Sequence, residues 1–213
     1  MEFSQFVVII LVAIVSYLLG LKNGSNGGGS ESAGFMVDKA TGVQFPTTKK
    51  FISSKKNELS CVGVGTRKKA VLNIYSLGLF VSSLLEKQIL KENPQGNALC
   101  KTIQSSNAQK AIELSFVMNL GPEKIAEAVS QIDGVKEDIK TEFHDMIVDG
   151  LGGGKIKKGE NMTFEWKGSE ITVTARGKLI GKMNDKALAS GVLDLYLGSK
   201  SVSPSLLQNL GCK

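Results

Sequence analysis

Histidine is almost missing from this chain, which has only His144, and cysteine is scarce, with Cys61, Cys100 and Cys212 and no Cys-x-x-Cys pair. A structural zinc site therefore lacks ligands, and no metal is expected. An odd cysteine count does not make a disulfide framework, so a thiol-reducing compartment is the simpler reading, although one bridge plus one free thiol also fits. No long basic run with interleaved aromatics occurs, so the formal charge of +6 does not point to nucleic acid as a partner. The excess is spread over pairs such as Lys49-Lys50, Lys68-Lys69 and Lys157-Lys158. That suits a solvated surface, and it also suits an anionic membrane. Internal repeats are absent. Gly152-Gly-Gly-Lys155 has neither the spacing of a phosphate loop nor the Ser or Thr that follows its lysine. Asp133, Glu137, Asp138 and Glu142 fall on solvated faces of predicted helices and form no spaced catalytic pair.

What is present begins with one long apolar run. Phe6 to Leu21 carries no charge, and Lys22 and a Gly/Ser/Asn-rich stretch follow it. A helix over this run spans about 24 Å, a little short of a hydrocarbon core of roughly 30 Å. Local thinning or snorkelling of Lys22 covers the difference. The expected organisation is an N-terminal signal-anchor helix over 1–21, a flexible linker over 22–40 and one domain over 41–213. A cleaved signal peptide and a buried helix are the competing readings. The first is disfavoured by an n-region with a glutamate and no lysine or arginine. Lys22 and Lys39 lie C-terminal to the span, which places the domain on the cytoplasmic side or within an organelle.

The rest alternates between two periods. Leu59 to Val81 is β-branched and apolar with glycine bends, and Leu114 to Asn119 reads as a short strand. Glu86 to Gln109 reads as one short helix and a loop. Gly121-Pro122 opens a helix with Ile125, Val129 and Ile132 on its apolar stripe, and a second helix covers Val135 to Val148. Met162 to Met183 gives two or three strands with turns at Lys167-Gly168 and Arg176-Gly177, and Lys186 to Leu197 is a last helix ended by Gly198. Strands, helices, strands, helix is an α+β order: an antiparallel sheet covered by helices on one face.

Several phrases, in order, resemble the chalcone isomerase family. They are Gly42-Val-Gln-Phe-Pro46, the stretch from Leu59 to Lys69, Ile74 to Val81, and Ala187 to Gly198 followed by Ser201-Val-Ser-Pro204. The resemblance implies an open-faced β-sandwich with a ligand cleft between sheet and helices. It also implies a role for Arg67, the family's arginine after the Gly-x-Gly turn. A guanidinium in an apolar cleft binds a carboxylate, or stabilises a phenolate or enolate during ring closure. Tyr75 matches the aromatic position that partners this arginine in fatty-acid-binding relatives, and Ser76 the hydroxyl position of the plant enzymes. On a straight strand eight residues would separate Arg67 and Tyr75 by roughly 26 Å, so they share a cleft only if the chain turns between Lys69 and Asn73.

One departure bears on activity. Plant chalcone isomerases place a tyrosine and an asparagine where this chain has Ile125 and Ile132. Isoleucine cannot pair a substrate's ketone and hydroxyls, whereas it suits an alkyl chain. The expected function is a membrane-tethered, non-catalytic binder of a fatty acid or similar amphipathic carboxylate, lined by Arg67, Tyr75, Ser76, Ile125 and Ile132, with no cofactor. The alternative is a divergent isomerase (an intramolecular lyase) acting on a chalcone-like phenolic or enone substrate, with Arg67 as its catalytic residue. A smaller alternative is haem, with His144 or a cysteine as axial ligand.

Overall fold

The computed structural model describes residues 34–54 and 57–212. The proposed anchor and most of the linker lie outside the described residues. Among those residues, no helix is long and apolar enough to cross a membrane. The stretch expected to end the linker already belongs to the domain. Phe35–Val37 (β1) pairs antiparallel with Gln44–Pro46 (β2), and the Asp38 turn joins them.

The remaining strands form one antiparallel sheet whose order follows the chain: Thr48–Lys49 (β3), Leu59–Lys69 (β4), Leu72–Ser82 (β5), Lys110–Phe116 (β6), Asn161–Lys167 (β7), Glu170–Ala175 (β8) and Lys178–Asn184 (β9). Each strand pairs with the next, so every excursion between neighbours must leave and return on a face. Ser83–Glu92 (α1) and Asn97–Ser105 (α2) join β5 to β6, and Pro122–Ser130 (α3) and Glu137–Gly150 (α4) join β6 to β7. Lys186–Leu197 (α5) and Pro204–Asn209 (α6) follow β9. The span expected to hold one helix and a loop thus holds two helices. Their break falls at Asn93, which takes the left-handed conformation and donates its backbone N–H to the α1 carbonyl of Ile89.

Strand alternation gives the sheet two different faces. Tyr75, Leu77, Leu79 and Val81 of β5, Ile112 and Leu114 of β6, and Phe164 and Trp166 of β7 pack in one core with the buried stripes of the helices. The Trp166 indole donates to the Ala189 carbonyl of α5 (2.9 Å), so this large ring is anchored as well as buried. Lys110 reaches the α2 C-terminus and donates to the carbonyls of Ile103 and Ser106 (2.7 and 2.5 Å), a cation where the helix leaves acceptors unpaired. Burial pushes its pKa down to about 8. On the opposite face a smaller core, with Phe45, Phe51, Phe80 and Val64, seats the N-terminal segment. The two-faced sheet therefore carries helices on one side and residues 34–54 on the other.

The last helix closes onto β4, next to the edge strand β3. α6 crosses β4 at Gly65, where an added Cβ would lie 2.6 Å from the Leu206 backbone nitrogen and 2.7 Å from Ser203 Oγ. Gly63→Ala would meet only side-chain ends, those of Leu210 and Leu206. Gly65→Ala should therefore destabilise the protein by about 2–3 kcal/mol and Gly63→Ala by clearly less, measured by urea unfolding. Equal losses would show that α6 does not approach the β4 backbone this closely. Cys100 of α2 and Cys212, just beyond α6, form a disulfide, while Cys61 is free and buried. This corrects the reading of three reduced thiols in favour of one bridge plus one thiol. Burial pushes the Cys61 thiol up to about 12, so at neutral pH it is a small apolar side chain.

Candidate ligand site

β4 and β5 are the two arms of a hairpin that turns at Ala70 and Val71. Arg67 and Tyr75 are partners directly across it. The turn thus brings the two residues together despite their spacing along the chain. Arg67 Nη1 donates to Tyr75 Oη at 3.4 Å, and the guanidinium carbon lies 5.9 Å from the centre of the tyrosine ring. The ring itself is buried edge-on against Phe116 of β6 (5.6 Å between centroids). Tyr75 therefore fixes Arg67 by stacking as well as by its hydroxyl. Arg67 is half-buried at the end of β4 and forms no ion pair among the described residues.

A third polar group joins them from the helix layer. Tyr196 of α5 is wholly buried, and its hydroxyl completes no hydrogen bond. Burial raises its pKa well above the ordinary phenol value. The neighbouring Tyr75 hydroxyl adds to the shift and the Arg67 guanidinium opposes it. Two phenols and a guanidinium thus converge between sheet and helices, with one buried hydroxyl left unsatisfied. Sequence reading placed Tyr196 only on an apolar helix stripe. Its one signal was a hydroxyl on a helix that packs inward.

Tyr75 and Ser76 are consecutive on a strand and so point to opposite faces. Ser76 is fully buried on the face away from the helices, where it donates to Asp38 Oδ2 (2.6 Å). Thr66 (2.6 Å) and Thr41 (3.0 Å) donate to the same oxygen, and the Ala40 amide donates to Oδ1 (3.1 Å). Burial alone would raise the Asp38 carboxyl. Hydrogen bonds from Ser76, Thr66, the Ala40 amide and Thr41 outweigh it and hold the carboxyl below its ordinary range. Ser76 therefore helps pin the β1–β2 turn and is not brought to the Arg67 site.

Ile125 of α3 and Ile132, which lies just beyond the helix end at Ser130 and not on its stripe as expected, are buried in the same core as Tyr75 and Tyr196. Ile132 sits against Gly191 of α5, where any Cβ would collide with it. Open depressions among the described residues include the following two. One lies between α3 and α4 and includes Glu127, Lys140 and His144; the other lies beside Thr41, Asn73, Ser115 and Lys158. Neither includes Arg67 or Ile125. His144 is partly exposed between α3 and α4 beside Glu123 (3.5 Å) and Asp145 (3.0 Å), and two of the cysteines are bonded to each other. Of the axial ligands expected for haem, that leaves the buried Cys61 as the one free thiol among the described residues.

Residues 37–210 match the family model described as chalcone isomerase-like. The chain belongs to the chalcone isomerase-like family. Among solved structures, this chalcone isomerase-like protein is similar to the Arabidopsis thaliana fatty-acid binding protein. The TM-score is 0.67 at 17% identity, and the match covers 83% of this chain and 95% of the other. No curated protein matches it in sequence.

Proposed function

We propose that this chalcone isomerase-like protein is a membrane-tethered, non-catalytic binder of a fatty acid or similar amphipathic carboxylate. The observation that carries this reading is Arg67 fixed by Tyr75 beside the buried, unsatisfied Tyr196 hydroxyl. A guanidinium and two phenol hydroxyls lie near one another beside an apolar core, a combination that suits a carboxylate head with an alkyl tail. The likeness to a fatty-acid binding protein supports the same ligand class. Ile125 and Ile132, apolar and buried in this core, suit the tail and cannot order a chalcone's polar groups. The tether is the apolar run Phe6 to Leu21. The Cys100–Cys212 bond favours a compartment where thiols are not kept reduced, so of the two placements the organelle interior is preferred.

The test is native mass spectrometry of the full chain with a long-chain fatty acid. Arg67→Ala should weaken retention roughly 10- to 100-fold, the range for loss of hydrogen bonds to a charged group, while Arg67→Lys should fall between it and the wild type. Wild-type protein that retains no carboxylate, or retains it equally with alanine at 67, refutes the proposal. Rapid, arginine-dependent conversion of a chalcone to a flavanone would establish the isomerase instead.

A further inference from the structure

Because neighbouring strands are antiparallel, β4, β6 and β8 end where β5, β7 and β9 begin. That end of the sheet is where Arg67 opens to solvent. Its turns carry Lys39, Lys68, Lys69, Lys157, Lys158 and Lys178, all exposed. None of the six forms an ion pair among the described residues. The Lys39 turn is drawn alongside the hairpin by Asn73, which donates to the Ala40 carbonyl (3.2 Å), and the Lys158 amide is held by Asn119 (2.9 Å). Acids in these turns are already engaged: Asp38 by its buried hydroxyl partners and Glu160 by Arg176 (3.6 Å). At the opposite end the signs are mixed, with Glu58 beside Lys50 and Glu170 beside Lys182. The positive charge that is scattered in sequence is thus gathered at one end in space.

Apolar side chains stand out of the same surface. Val71 is 93% exposed and Leu72 58% at the β4–β5 turn, and Leu179 is 52% exposed beside the β8–β9 turn. The hairpin tip holds Ala70 at φ 53, a left-handed conformation that a non-glycine residue adopts at a cost. Val71 therefore projects into water from a strained turn and packs on nothing in the domain. Exposed valine and leucine flanked by unpaired lysines suit an interface that offers acyl chains and anionic headgroups together.

We infer that this end of the sheet docks on an anionic lipid bilayer, with the Ala70–Val71 and Arg176–Gly177 turns at the headgroups and Val71, Leu72 and Leu179 below them. Docking deepens the carboxylate reading, because it sets the Arg67 site at the membrane surface from which an amphipathic ligand would be taken up. The two are measured separately, since carboxylate retention is read in solution and docking on vesicles.

The full chain is tested as V71C, L179C and, at the opposite end of the sheet, K167C, each labelled with an environment-sensitive NBD group. The buried Cys61 and the bonded Cys100 and Cys212 leave the new thiol as the reactive one. With vesicles of phosphatidylcholine and phosphatidylglycerol, emission at 71 and 179 should shift to the blue and be quenched by spin-labelled lipid several-fold more than at 167. Adding K68E and K69E to V71C should raise the lipid needed for half the shift by about thirtyfold or more. Equal quenching at 71 and 167 would mean that the N-terminal run alone holds the protein at the bilayer, and the docking idea falls. It falls equally if phosphatidylcholine alone gives the same response, if no shift occurs, or if RNA produces the shift in place of vesicles.

Discussion

Replacing Cys100 and Cys212 together by serine should lower the unfolding free energy by about 4–5 kcal/mol. The bond closes a loop with a sequence separation of 112 residues, and the stabilisation from restricting the unfolded chain grows with the logarithm of loop length. For a domain of this size the loss corresponds to a fall in melting temperature of roughly 10–20 °C. Reductant should produce nearly the same fall in the wild type and none in the double variant. A wild-type melt that is unchanged by reductant would show that the two sulfurs are not bonded in solution. Because the bridge ties the segment after α6 to α2, loosening it should act first on the α6 contact with β4.

Lys49→Met should cost about 3 kcal/mol although it removes a residue at the edge of the sheet. Lys49 Nζ donates to both carboxylate oxygens of Glu113 (2.7 Å each), and Asn161 adds a third donor (2.7 Å). Glu113 is 3% exposed on the face of β6 away from the helices. Removing one partner of a buried pair strands the other charge, which is worth about 3–5 kcal/mol. The lower end applies because the lysine side chain is still a third exposed. Adding Glu113→Leu should recover most of the loss, since no carboxylate then remains to be solvated. Denaturant unfolding of the two variants decides it: a single variant within about 0.5 kcal/mol of the wild type would show that water reaches Glu113.

The parts of the fold that were legible in the sequence are those with local punctuation. Arg176-Gly177 marks the β8–β9 turn, and both residues take positive φ there, as a tight hairpin demands. Gly121-Pro122 opens α3 with proline at its first turn. The β4–β5 turn had no such mark, because Ala70 takes the left-handed position that glycine or asparagine usually fills. For that reason the pairing of Arg67 with Tyr75 came from the family resemblance and not from any turn signal in the residues. Strand period alone separates Tyr75 from Ser76, but only once the face toward the helices is known. The Asp38 turn was absorbed into the linker by the glycine-rich composition just before it. Cys100 and Cys212 are too far apart in sequence for any spacing rule to join them.

The contact between α6 and β4 also orders events during synthesis. Thr66 and Ser205, whose backbone and side chain are hydrogen-bonded at 2.8 Å, are 139 residues apart. At ordinary rates of translation, roughly 7–30 s pass between the appearance of one and the other. Strands β4 to β9 can pair in turn as they emerge, since each partner is the next strand. The ground around Arg67 is finished only after α6 has been made, so it is the last part of the described domain to close, and a nascent chain passes through that interval with this stretch of β4 still uncovered.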